Sequence, residues 1–196
     1  MNLGLDIDGV LTNIEAFQFK YGIPYFKEKY QKNVVNENGK NMRQIFDCSK
    51  EEELNFWKEN LIRYAIAEPA REDAAEYTKW AYENGHHIYI ITCRIFATKQ
   101  NFLGKLMRFI VKNWLKRNRI KYDEIIFCDE DKSEAIKKYD IKYMVDDDPD
   151  NIEALKDLTQ IICMNAKSNE HIADSDVVRC HNFMEIIEYM KGCKNI

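Results

Sequence analysis

Short apolar runs rich in Ile, Val, Tyr and Phe alternate along this chain with longer amphipathic stretches. The runs are residues 2–7, then "HIYIIT" at 87–92, "EIIFC" at 124–128, "IKYMVD" at 141–146 and "TQIICM" at 159–164. Their lengths and their β-branched and aromatic content predict strands. Between them, "PAREDAAEYTKWAYENG" at 69–85 predicts a helix opened by Pro69 and stopped at Gly85. Residues 99–118 predict a second, with Phe102, Leu106, Phe109, Ile110 and Leu115 on its inner side. Shorter helices are expected at 132–139 and 149–157, and a closing one at 182–191. Such alternation implies parallel strands joined by right-handed crossovers. The expected fold is therefore α/β, a doubly wound (Rossmann-like) parallel sheet with helices on both faces, which binds ligands at the carboxyl ends of its strands.

The alternation breaks over residues 13–68, which are aromatic, charged and mostly helix-like, with a turn-rich centre at "NENGKN". This segment is expected to be a small helical insertion packed over the sheet edge, leaving 1–12 and 69–196 as the α/β core. Its aromatics Phe17, Phe19, Tyr21, Tyr25, Phe26 and Tyr30 fit two roles. They either form the insertion's own core or line an apolar pocket that stacks a base.

Composition narrows the class. With 196 residues, 45% hydrophobic and 32% charged, the chain is long enough for one well-cored domain and too apolar for disorder. A net charge of −4 argues against general electrostatic binding of nucleic acid, so any phosphate ligand must be held locally. No apolar run approaches membrane-spanning length, and Asp6 and Asp8 interrupt what would be a secretory signal, so a cytoplasmic protein is expected. The six cysteines are scattered without a CxxC pair and read as free thiols rather than disulfides or a zinc site. His86 and His87 are adjacent, while His171 and His181 stand alone, so no histidine metal set emerges. The oligomeric state stays open, a homodimer included.

The chemistry lies at the ends of the apolar runs. "NLGLDIDGVLTN" ends its strand in Asp6 and Asp8, with Gly9 permitting a tight turn into the insertion. "YMVDDDPDN" places Asp146, Asp147 and Asp148 after another strand, and helix capping before Pro149 explains one of the three. Carboxylates converging from separate strands need a cation, and an oxygen-only set favours Mg²⁺ or Ca²⁺ over Zn²⁺, with Mg²⁺ suiting a phosphate substrate. "IYIITCR" delivers Thr92 and Arg94, and "IIFCDEDK" delivers Lys132 at a helix start. A hydroxyl, a cation and a metal around one carboxylate make a phosphoryl-transfer site, in which Asp6 attacks phosphorus and Asp8 shuttles the proton. Arg94 fits two roles equally, a substrate phosphate ligand or the partner of an acid on the surface.

Together, "DIDGVLT", "IITCR", Lys132 and "VDDDPDN" resemble the four ordered motifs of the haloacid dehalogenase-like phosphohydrolases. That resemblance implies Asp6 as nucleophile and metal ligand, and Asp8 as general acid-base that also offers its main-chain carbonyl to Mg²⁺. It assigns Thr92 and Lys132 to the phosphate, with Cys93 and Arg94 beside them in the phosphate- and substrate-binding segment. Asp146 and Asp147 become the metal acids, Asp147 direct and Asp146 through water, because Asn151 follows Asp147 by four residues. It also makes the insertion at 13–68 a small cap. More narrowly, the chain is similar to bacterial nucleotidase-like members related to the 5′(3′)-deoxyribonucleotidases. The implied activity is Mg²⁺-dependent hydrolysis of a small phosphomonoester, a nucleoside monophosphate first. The alternatives are a sugar-phosphate or other metabolite phosphatase, and a regulatory module that binds phosphate without turnover.

Overall fold

The computed structural model describes residues 1–129 and 131–193. Strands β1 (Asn2–Leu5), β2 (His87–Thr92), β3 (Glu124–Phe127), β4 (Ile141–Asp146), β5 (Gln160–Met164) and β6 (Val178–Cys180) form one sheet. Their order is β3-β2-β1-β4-β5-β6, with every neighbouring pair parallel. The chain winds outward from β1 through β2 to β3, then returns to place β4 on the other side of β1. Strand order therefore reverses between β1 and β4, and the crevice above that point is where such sheets take their ligands.

Strand period sorts the side chains onto two faces. Leu3, Leu5, Ile88, Ile90, Val145 and Ile162 enter one buried cluster, while Ile91, Met144, Ile161 and Cys163 enter a second. Helices α4 (Ala74–Glu83), α5 (Phe102–Arg117) and α8 (Phe183–Cys193) cover the first cluster, and α6 (Ser133–Lys138) and α7 (Pro149–Leu155) cover the second. Strands buried on both faces read as nearly continuous apolar runs, which is how they stand in the sequence.

Three details depart from expectation. The helix expected from Pro69 begins at Ala74, because Arg71 is drawn elsewhere. Its N–H donates to the Leu11 carbonyl at 2.8 Å, and its guanidinium donates to the carbonyls of Gly9 at 2.9 Å and Thr12 at 3.3 Å. The second is the rotation of α5, which buries Gly104, Met107, Val111, Trp114 and Leu115 and leaves Phe102 76% and Phe109 65% exposed. Two positions fix that rotation. A Cβ at Gly104 would lie 1.8 Å from the Lys99 carbonyl oxygen, and the Trp114 indole donates to the Glu68 carbonyl at 2.7 Å. The third is β6, three residues long, which is too short to register as an apolar run.

Helices α1 (Ile14–Tyr30), α2 (Met42–Phe46) and α3 (Lys50–Ala67) lie between β1 and β2 and share a core of their own. Each is capped in sequence: Asn13 accepts from Ala16 N–H, Asn41 from Gln44 N–H, and Ser49 with Glu52 forms a reciprocal capping box. Phe26 stacks on Phe46 and Phe56 with centroids 4.6 and 5.9 Å apart. Phe17 and Phe26 are fully buried, and Phe19, Tyr21, Tyr25 and Tyr30 pack against the same cluster, so these aromatics build the insertion rather than a base-stacking wall. Because that core is separate from those of the sheet, Phe26→Ala is expected to cost about 3–5 kcal/mol locally. Native-state hydrogen exchange should quicken in α1–α3 while β1 and β4 keep their protection; uniform loss across both would contradict this separation.

Candidate active site

The site forms where strand order reverses. Asp6 follows β1, Asp146 ends β4 and Asp147 is the next residue, so adjacent carboxyl ends bring three carboxylates together. One oxygen of each lies within 4.8 Å of the others, and all three residues are buried. Asp6 is fixed by its own backbone: its N–H donates to the Val145 carbonyl at 3.1 Å, and its Oδ1 accepts from Ile7 N–H at 2.7 Å. Gly9, at φ 90°, makes the turn beyond it. A Cβ there would lie 1.9 Å from Asp147 Oδ2, so side-chain volume as well as conformation demands glycine.

Lys132 enters this cluster from the start of α6. It is 1% exposed, and its Nζ sits 2.8 Å from Asp6 Oδ2 and 2.6 Å from Asp146 Oδ2. Asp146 is otherwise saturated, accepting from Asn151 Nδ2 at 3.2 Å and from Asp148 N–H at 3.1 Å. Asp148 itself caps α7, accepting from the N–H groups of Asp150 and Asn151. Asp147 differs from both neighbours. Its main-chain carbonyl accepts from Asn169 Nδ2 at 2.9 Å, but its buried Oδ1 has no protein partner.

One ammonium against three carboxylates leaves negative charge uncompensated in a desolvated site. Burial, opposed by Lys132 but reinforced by Asp146 and Asp8, pushes Asp6 up to about 7. Burial and the charges of Asp146 and Asp6 drive Asp147 well above the usual carboxylate range. Lys132 is held protonated, because its two acids outweigh the burial that opposes them. An orphaned buried carboxylate oxygen, two acids strained upward and an all-oxygen donor set fit a hard divalent cation held by Asp6 and Asp147.

The Asp8 carboxylate stands outside that cluster. Arg94 Nε donates to its Oδ2 at 3.1 Å, Arg94 Nη2 pairs with its Oδ1, and the Tyr64 hydroxyl donates to the same oxygen at 2.7 Å. Burial raises the Asp8 carboxyl, but the Arg94 guanidinium with both sets of hydrogen bonds outweighs it and holds Asp8 below the ordinary range. The Arg94 guanidinium also lies over the Tyr64 ring, 5.2 Å from its centroid. Arg94 is buried rather than on the surface, and the acid it pairs with is Asp8 of the site itself. Thr12 Oγ1 completes the group, 2.6 Å from the Tyr64 hydroxyl and donating to the Ile7 carbonyl at 3.0 Å.

Thr92 ends β2, fully buried, with its hydroxyl oxygen unpartnered. Cys93 lines a cleft of about 190 Å³ together with Asp6, Asp8 and Asp147, roofed by Gln18 of α1 and by Lys40. A larger groove of about 730 Å³ continues from it past Arg94, Lys132 and Asn151. Sequence reasoning overlooked Tyr64, Arg71 and Asn169. Tyr64 stood among many insertion aromatics, Arg71 lay inside an expected helix, and Asn169 acts through main-chain carbonyls that leave no motif.

The family described as "5' nucleotidase, deoxy (Pyrimidine), cytosolic type C protein" matches residues 1–195. Two proteins named "Putative nucleotidase" are similar along nearly their whole length. BH1399 of Halalkalibacterium halodurans is 25% identical, covering 93% of this chain and 88% of its own, and YqfW of Bacillus subtilis is 23% identical, covering 100% and 96%. In structure, a "predicted phosphatase" from Clostridium acetobutylicum superposes with a TM-score of 0.63 at 14% identity, covering 97% of this chain and 98% of its own. Among the described residues, no helix is long and apolar enough to cross a membrane. A match running from end to end, on a sheet whose reversal point gathers the acids that the four motifs supply, places this chain in that nucleotidase family of the haloacid dehalogenase-like superfamily, as a hydrolase of phosphomonoesters.

Proposed function

We propose that the protein is a Mg²⁺-dependent phosphatase of a small phosphomonoester, a nucleoside monophosphate first, working in the cytoplasm through an aspartyl-phosphate on Asp6. The observation that carries this reading is the buried Asp6 carboxylate, fixed by Ile7 N–H and Lys132 beside a second acid with a free oxygen. The nucleoside monophosphate is favoured by the family description and by the names of the relatives.

In this scheme Asp6 attacks phosphorus and the ester oxygen leaves, giving an acyl phosphate. Lys132 Nζ and the unpartnered Thr92 hydroxyl receive phosphoryl oxygens, with the main chain around Cys93 forming the wall beside them. Asp6, Asp147 and the Asp8 carbonyl would hold Mg²⁺, which would supply the charge to offset the excess acids and polarise the phosphoryl group. Asp146 orients Lys132 and Asn151 rather than binding directly, since protein donors already engage it. Asp8 enters the cycle ionised and paired with Arg94, which suits the base that activates water in the second half. To protonate the leaving oxygen in the first half, Asp8 must first take up a proton from solvent as that pair loosens on substrate entry, and giving that proton away returns it to the ionised base of the second half. Residues 13–68 serve as the cap over a core of 1–12 and 69–196, and Gln18 and Lys40 stand where the cap meets substrate.

Asp6→Asn is expected to lower phosphate release from an aryl phosphate by more than about 10³-fold, and excess EDTA to abolish it in the wild type. Turnover surviving either treatment overturns the mechanism. A panel of nucleoside 5′-monophosphates against sugar phosphates should give its highest kcat/KM on a nucleotide, and a sugar phosphate at the top would replace that substrate.

The folded pKa of Asp6, about 7, lies above its ordinary value of 3.8. Without metal, its contribution to stability is therefore complete below about pH 4 and lost as pH rises through about 7. In EDTA the melting temperature should fall between about pH 5 and about pH 8, and Mg²⁺ should raise it more at the higher pH. A metal-free protein equally stable at both would count against the charge imbalance.

A further inference from the structure

The thiols of Cys93 and Cys128 take no part in this mechanism, yet the sheet brings them together. Thr92 and Phe127 are register partners at the ends of β2 and β3, and Cys93 and Cys128 are the first residues beyond each strand. The ladder continues past that pair, with Cys128 N–H donating to the Thr92 carbonyl at 3.0 Å. Neighbouring strands lie about 4.8 Å apart, and a disulfide needs Cα atoms about 4.4–6.8 Å apart, so backbone spacing here suits a bond. The two side chains are neighbours, each the leading influence on the other's thiol. Both are partly accessible and line the same groove beside Lys132, whereas Cys48, Cys163 and Cys180 are buried. Among the described residues, the metal-ligand cluster that forms is the acidic one, so the two thiols lack the further ligands of a soft-metal site.

We propose that Cys93 and Cys128 form a reversible dithiol–disulfide site in the wall of the active-site groove, closed by a low-molecular-weight disulfide and slowing turnover when closed. The neighbouring Cys93 side chain lowers the Cys128 thiol below its ordinary range, with Lys132 assisting against burial, while Cys93 itself is raised. Cys128 is thus the attacking sulfur. Its thiolate attacks one sulfur of the small disulfide, forming a mixed disulfide and expelling one thiolate. Cys93 then gives up its proton to solvent, attacks the Cys128 sulfur and expels the second thiolate. Two protein thiols are oxidised and one small disulfide is reduced to two thiols. Closure ties the Thr92-Cys93-Arg94 segment to the end of β3. A shift of about 1 Å in that segment misplaces both the Thr92 hydroxyl and the partner of Asp8, enough for a loss on the order of 10-fold or more.

The test is treatment of the native protein with oxidised glutathione, followed by peptide mapping and an aryl phosphate assay. Trypsin should yield peptides 80–94 and 122–132 joined by one disulfide, with turnover falling by about 10-fold and recovering in dithiothreitol. Cys128→Ser should keep the turnover of the reduced protein and lose its sensitivity. Free thiols at both positions, stable glutathione adducts without the joined peptides, or joined peptides with unchanged turnover would each overturn the proposal. Peptide mapping reads the bond whether or not a nucleotide is the substrate, so failure here and failure of the assigned reaction remain distinguishable.

Discussion

Everything in this molecule is arranged around the electrostatic problem of three carboxylates and one lysine sealed at the reversal point of a parallel sheet. Burying a charge costs several kcal/mol unless it is paired, and here the protein supplies one cation for three anions. Lys132 offsets Asp6 and Asp146, and Asn151 and the Asp148 N–H complete Asp146. The remainder falls on Asp147, whose Oδ1 the fold leaves unanswered. Such a site is stable as a scaffold because the sheet beneath it is buried on both faces, and incomplete as an electrostatic unit until a cation joins it.

A second, self-contained pair stands beside the first. Asp8 with Arg94 is locally neutral and is braced by Tyr64 and Thr12. Two aspartates one residue apart thus occupy opposite regimes. Asp6 is pushed up by burial among like charges, and Asp8 is held down by a guanidinium. Divergent environments for neighbouring acids are how one site separates nucleophilic from proton-transfer work. Tyr64 also carries the contact from α3 of the insertion directly to Asp8, so the floor and the roof of the site meet at a single carboxylate.

The architecture was legible because strands buried on both faces leave apolar runs that no amphipathic helix imitates, and because Asp6, Thr92 and Asp146 stand at the ends of those runs with Lys132 four residues past another. The rotation of α5 was not legible. Its sequence offers two apolar stripes, and the choice depends on Gly104 meeting the Lys99 carbonyl and on Trp114 reaching Glu68. Tyr64 was hidden for a related reason. Among the aromatics of the insertion nothing local marks the one whose hydroxyl leaves the core, and only the placing of α3 beside the turn after β1 selects it. That Arg94 meets Asp8 was not legible either, since no spacing links two residues 86 apart.

Arg71 gives the insertion its attachment. The polypeptide departs the sheet through Gly9, Leu11 and Thr12 and returns through Arg71, and one residue binds the carbonyls of all three departing positions. Entrance and exit are consequently a single rivet, with more than fifty residues looped from it. Departure and return of more than fifty residues are thereby held to one spot beside Asp6, and Tyr64 is the point at which the contents of the loop reach past it to the floor.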